Sequence, residues 1–134
     1  MKKYEDLTPA YAIHPGEMLL DEIEARGMSQ AEFGKLIGYK RSQLNEVIKG
    51  KRGINANLAI LLEAALDIPA DFWLKAQNEY ELDLAKIEAK PQVSIIEEYK
   101  SISAHVDIRY LKKQHLISGN PKEDIALLYE LIGR

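Results

Sequence analysis

Cysteine is absent from the 134 residues. That absence removes disulfides, thiolate metal sites and cysteine nucleophiles together, and it fits a reducing cytosol. Long apolar runs are missing too. The N-terminus, MKKYEDLTPAYAIHPGE, has no apolar stretch of signal-peptide length, and nothing approaches the roughly 20 apolar residues of a membrane span. A cytoplasmic protein with no membrane partner is expected. There is no internal repeat and no low-complexity tract, and HExxH occurs nowhere. His14, His105 and His115 are scattered, without a second ligand at metal spacing, so surface or capping roles are expected for them. Asp21, Glu22 and Glu24 read as ordinary solvation of a helix rather than as a catalytic pair. No enzyme, no metal and no cofactor is expected.

What is present begins with an uneven distribution of charge. The formal net charge is -3. Yet between Lys35 and Arg52 the cations Lys35, Lys40, Arg41, Lys49, Lys51 and Arg52 face Glu46 alone. The rest of the chain carries twelve cations against twenty acids. A face that only maintains solubility mixes its signs; this one is arranged to meet a polyanion.

The apolar pattern is helical nearly throughout, and hydrophobic content of 46% suffices for a packed core. EMLLDEIEARG puts Leu19, Leu20 and Ile23 on one face and ends at Gly27. MSQAEFGKLIG opens with Ser29 and Glu32 in capping-box spacing, carries Phe33, Leu36 and Ile37, and closes at Gly38. YKRSQLNEVIKG follows with Leu44, Val47 and Ile48. NANLAILLEAALD places Leu58, Leu61, Leu62, Ala65 and Leu66 on one stripe. Pro69 starts a fifth helix, in which Trp73, Ala76, Tyr80, Leu84 and Ile87 form a core or dimer seam. AKPQ, residues 89–92, interrupts the pattern and sets an expected boundary, giving domains 1–90 and 91–134. Beyond it VSIIEEYKSIS and VDIRYLKKQHLI read as two short helices. A last helix starts from Asn120 and Pro121, with Glu123 at capping-box spacing, Ile125, Leu128 and Ile132 as its buried face, and Gly133 past its end. The fold class expected is all-α: a five-helix repressor-like helix-turn-helix domain with a C-terminal helical extension.

Two short helices joined at Gly38, the second basic at its start, describe a helix-turn-helix. Gly38 is free to take the positive φ of a sharp turn. Leu44, Val47 and Ile48 pin the second helix to the core. Its outer face or leading end then offers Lys40, Arg41, Ser42, Asn45 and Glu46 to base edges in a major groove. Arg41 is the strongest base reader, since a guanidinium can bond guanine O6 and N7 together. Lys49, Lys51 and Arg52 are better placed for phosphate. Gln30, opening the preceding helix, can add its amide beside backbone N–H groups aimed at a phosphate.

SQAEFGKLIGYKRSQLNEVIKGKRGI resembles the XRE, or phage-repressor-like, helix-turn-helix family. The longer stretch from HPGEMLL through IPADFWLKAQNEYELDLAK is similar to the HigA/VapI type of plasmid-maintenance antitoxin. The resemblance implies a DNA-binding homodimer on an operator in its own promoter; because one small domain reads only a few base pairs, that operator is expected to be an inverted repeat. It also implies a partner toxin, typically a small RelE-like ribonuclease, which the antitoxin inhibits. By position Gln30, Arg41, Ser42, Asn45 and Lys49 match the places where this family touches DNA. Lys40 stands where the family often has Ser or Thr. The tail VDIRYLKKQHLISGNPKEDIALLYELIG is similar to the helical segment that joins a helix-turn-helix to an ImmA/IrrE-type metallopeptidase in some fused regulators, but the peptidase is missing. Two other readings are a free-standing transcriptional regulator and a protein-interaction module that has lost DNA binding; the intact basic face argues against the second.

Overall fold

The computed structural model describes residues 8–133. Residues 1–7 of the N-terminal domain assigned above, and Arg134, lie outside them. Seven helices and no strand occur among the described residues: α1 (Pro15–Ala25), α2 (Gln30–Ile37), α3 (Arg41–Ile48), α4 (Ala56–Leu66), α5 (Ala70–Ser103), α6 (Ile108–Lys113) and α7 (Pro121–Leu131). The all-α expectation holds. No helix among them is long and apolar enough to cross a membrane.

The chain divides into two compact units, residues 9–85 and residues 86–133. The first is the helix-turn-helix unit. Its core joins Leu19 and Ile23 of α1, Phe33 and Ile37 of α2, and Leu44, Val47 and Ile48 of α3. Ile54, then Leu58, Leu62 and Leu66 of α4, and Trp73 of α5 complete it. These are the apolar positions at helical spacing, with one correction. Leu36 is 59% exposed. It precedes Ile37 by one residue, about 100° around the helix, and the buried face of α2 is centred on Phe33, Gly34 and Ile37 instead.

Local signals set the helix starts. Both halves of the Ser29 capping box form: Ser29 Oγ accepts from Glu32 N at 3.1 Å, and Glu32 Oε1 accepts from Ser29 N at 2.9 Å. The backbone N–H of Ser29, foremost, and its hydroxyl hold the Glu32 carboxyl below its ordinary range. His14 caps α1, accepting through Nδ1 from Gly16 N at 2.9 Å.

Pro91 does not break the chain's helical path. α5 runs from Ala70 through it to Ser103, so VSIIEEYKSIS belongs to α5 and is not a separate short helix. Proline removes one N–H and displaces the carbonyl four residues back. Pro91 is exposed, where water can satisfy that freed carbonyl. In the second unit Ile102, Leu111, Ile117 and Leu128 are buried together, with Ile125 and Ile132 packed partly against them. Asn120 caps α7 through Lys122 N, as its position suggests. Asp124 is the unforeseen buried group there. It accepts from Ser118 N, Ser118 Oγ and Gly119 N at 3.0, 3.1 and 2.8 Å. Burial works against its charge, but these bonds and nearby Lys112 outweigh that and hold the carboxyl below its ordinary range.

Candidate nucleic-acid interface

Two glycines set the close approaches that aim α3. At Gly16, on α1, an added Cβ would lie 2.1 Å from the Val47 carbonyl oxygen. No side chain fits there, so α1 crosses the backbone of α3 directly. At Gly34, on α2, a Cβ would sit 2.8 Å from the Tyr39 oxygen, and the Gly34 carbonyl accepts from Tyr39 N at 2.8 Å. Gly38 supplies the turn itself with φ of 76°, as expected. The tight connection therefore depends on Gly34 and Gly38 together.

α3 buries Leu44, Val47 and Ile48. Arg41 and Ser42 stand exposed in its first turn, Lys40 at its N-cap and Lys49 at its C-cap. The Lys40 N–H donates to Gln43 Oε1 at 3.2 Å, closing the N-terminal turn. Asn45, half-buried, donates through Nδ2 to Gln30 Oε1 at 3.2 Å. That bond ties the first residue of α2 to the middle of α3 and leaves the amide hydrogens of Gln30 for another acceptor.

Glu46 is not a free base reader in the DNA-free protein. Its Oε1 accepts from Arg52 Nε at 3.0 Å and Nη2 at 2.7 Å. The same pairing takes Arg52 out of the set of free cations. Lys35, Lys40, Arg41, Lys49 and Lys51 are all exposed and make no ion pair among the described residues. The basic segment thus has five exposed cations outside any ion pair among the described residues, and one internal pair.

The loop after α3 is held from two sides. The Glu46 carbonyl accepts from Lys51 N and Arg52 N at 2.8 and 3.1 Å. From α5, buried Gln77 accepts from Ile54 N at 2.9 Å and donates to Glu81 at 2.8 Å. The His14 ring meets Tyr80 edge-on at 4.7 Å between centroids, and a Cβ at Gly50 would touch that ring at 3.5 Å. Burial lowers the His14 pKa from 6.5; Glu17, a backbone bond toward Arg52 and Glu81 oppose it. Sequence reasoning passed over Gln77, Gly16 and Gly34. Only Gly34 carried a local clue, a glycine inside a short helix.

This arrangement can present a short, rigidly backed helix with free donors to a polyanion. Comparison with known proteins agrees. The helix-turn-helix family model matches residues 19–73. Virulence-associated protein I of Dichelobacter nodosus is 35% identical over 86 residues, covering 63% of this chain and 79% of that protein. The chain belongs to the HigA/VapI family of XRE-type helix-turn-helix proteins. Among HigA structures, the Pseudomonas aeruginosa antitoxin HigA with the higBA promoter is 34% identical, covers 61% of this chain and 90% of its own, and superposes with a TM-score of 0.58. An addiction-module antidote protein of the HigA family from Coxiella burnetii is 26% identical, over 63% and 92% of the two chains, with a TM-score of 0.59. The HigA/VapI resemblance drawn from HPGE, SQAEF, LNEVIKGKRGI and DFWLKAQ is therefore correct, and the fold is that of a helix-turn-helix DNA-binding antitoxin. Among the described residues no three His, Asp or Glu side chains are grouped so as to hold a metal ion.

Proposed function

We propose that this protein represses its own toxin–antitoxin operon and neutralises the toxin, a RelE-like ribonuclease. It acts as a homodimer on an inverted repeat, in the cytoplasm. The observation that carries the DNA half is the set of exposed, unpaired cations on and beside α3, a helix whose other face is locked into the core. Arg41 reads a base, with Ser42 and Asn45 beside it. Lys40, Lys49 and Lys51 take phosphates, and Gln30 adds its free amide hydrogens. Glu46 and Arg52 act as a pair, holding the loop that presents Lys51. The toxin half is supported by similarity to HigA antitoxins.

One small unit reads only a few base pairs, so specificity needs two copies with half-site centres about 34 Å apart or a multiple of that. We assign DNA binding to residues 1–90 and a separate, accessory role to residues 91–134. The buried apolar core of the helix-turn-helix unit ends at Trp73, so a chain cut back to residues 1–90 should still fold and bind the operator. Footprinting of the chain's own promoter tests the reading. A protected inverted repeat, with rescue of growth from the neighbouring small open frame, supports it. Monomeric occupation of a single unrepeated site overturns the dimer. Protection without any toxin rescue reduces the protein to a lone regulator.

A further inference from the structure

Residues 11–18 and the first half of α5 enclose a groove of about 250 Å³ within the helix-turn-helix unit. Its apolar lining is open to solvent: Tyr11 is 69% exposed, Ile13 59% and Met18 38%. Tyr80, packed on His14, lines it from α5. Single exposed apolar residues are ordinary, but three converging on one concavity mark a surface used for contact. The groove also has a sign. Glu79 and Asp83, one helical turn apart on α5, line it as well. Outside Lys35–Arg52, residues 9–85 carry eleven acids and only two cations, Arg26 and Lys75. Arg26 is already paired with Glu22.

We infer that this groove docks a basic segment of a partner protein. The segment lays an apolar side chain against Tyr11, Ile13 and Tyr80, and its lysines or arginines meet Glu79 and Asp83. Charge selects this occupant over the others. A second copy packed isologously would bring the same lining, Glu79 and Asp83 with no lysine or arginine, so like charges would gather there without a counter-charge. The same acids repel nucleic acid. No groove residue belongs to the basic segment, so partner and DNA use different side chains. The two surfaces meet at His14, whose ring lines the groove and also faces Gly50. The inference deepens the antitoxin reading by naming the surface and charge of the partner contact, and it rests on that reading only for the partner's identity.

The test uses the full-length protein, labelled with ¹⁵N, and three probes. These are a synthetic amphipathic helical peptide of Lys and Leu, its counterpart with Glu for every Lys, and the purified product of the adjacent reading frame. The Lys peptide should bind saturably, shift the resonances of Ile13, Met18 and Tyr80, and weaken as salt rises. Glu79→Gln with Asp83→Asn should weaken it roughly tenfold at low salt. Ile13→Arg should abolish it, and the Glu peptide should not bind. Retained operator affinity shows that each variant is folded. Three results overturn the inference: equal binding by wild type and the double variant, shifts confined elsewhere, or dissociation of a homodimer by Ile13→Arg. If the neighbouring product ignores wild type while the Lys peptide fills the groove, the antitoxin reading falls and the groove stands. If that product binds Ile13→Arg as tightly as wild type, the groove falls and the antitoxin reading stands.

Discussion

Replacing Gln77 with alanine removes a buried amide that closes the loop behind the recognition helix. In the native unit its Oε1 is the acceptor for Ile54 N at 2.9 Å, and Ile54 is only 3% exposed. Gly53 lies against the same side chain, close enough that a Cβ there would sit 3.0 Å from Nε2. Truncation therefore leaves a buried N–H without its partner and opens a gap beneath Gly53. An unsatisfied buried donor costs about 1–3 kcal/mol. In a small domain each kcal/mol lowers Tm by roughly 4–8 °C. The same loop carries Lys51 and Arg52, so operator affinity should fall and its salt dependence flatten as phosphate contacts loosen. Gln77→Glu separates the two roles of the amide. A carboxylate can still accept from Ile54 but loses the donor to Glu81 and faces it as a like charge, so this variant should be weakest at neutral pH and recover as the acids protonate. Thermal melts of wild type and both variants, with mobility shifts at several salt concentrations, decide the matter. A Gln77→Ala protein that melts with wild type would refute the reasoning, because the loop would then be held without that bond.

Arg41→Ala should weaken specific operator binding by about 1–3 kcal/mol and relax preference at one base pair per half-site, whereas Lys49→Ala should weaken operator and scrambled duplexes alike; equal loss of both duplexes in Arg41→Ala would demote Arg41 to a phosphate contact. Glu46→Ala frees Arg52, so nonspecific binding should tighten and its salt dependence steepen, read from the same mobility shifts. Gly16→Ala forces a methyl group onto the Val47 carbonyl and should cost about 1–3 kcal/mol or more in urea denaturation, by pushing α1 off α3. His14 has a lowered pKa in the fold, so its contribution to stability is present above 6.5 and is lost as pH falls below that value through the folded pKa; melts from neutral to mildly acidic pH should show the loss in wild type and not in His14→Asn, which keeps a capping acceptor. Asp124→Ala leaves the N–H groups of Ser118 and Gly119 without their acceptor and should destabilise the second unit by about 1–3 kcal/mol. Because the folded Asp124 pKa is lowered, its stabilisation is present above 3.8 and disappears as pH falls below that, so the Asp124→Ala and wild-type melts should converge in acid.

Features whose physics is complete within a few residues were decided by the sequence alone. The Ser29–Glu32 box, the Asn120 cap and the positive φ of Gly38 each need only a residue type at the correct offset, because every group involved lies within three residues along the chain. The core stripes of α1, α3 and α4 follow from the 3.6-residue repeat in the same way. So does the excess of cations between Lys35 and Arg52, which is a property of composition. Tertiary structure decided the rest. Leu36 and Ile37 are equally apolar, and only the packing of α2 chooses which is buried. Proline ends most helices, yet α5 continues through the exposed Pro91 to Ser103. Arg52 counts as a free cation in the sequence until the fold brings it to Glu46, six residues away and beyond helical spacing. Gln77 becomes a clamp on Ile54 because α5 packs beside a loop 23 residues earlier, and Gly16 is indispensable only because the backbone of α3 crosses it. A hydrogen bond or close contact between distant segments exists only once the helices have packed, so no local pattern encodes it.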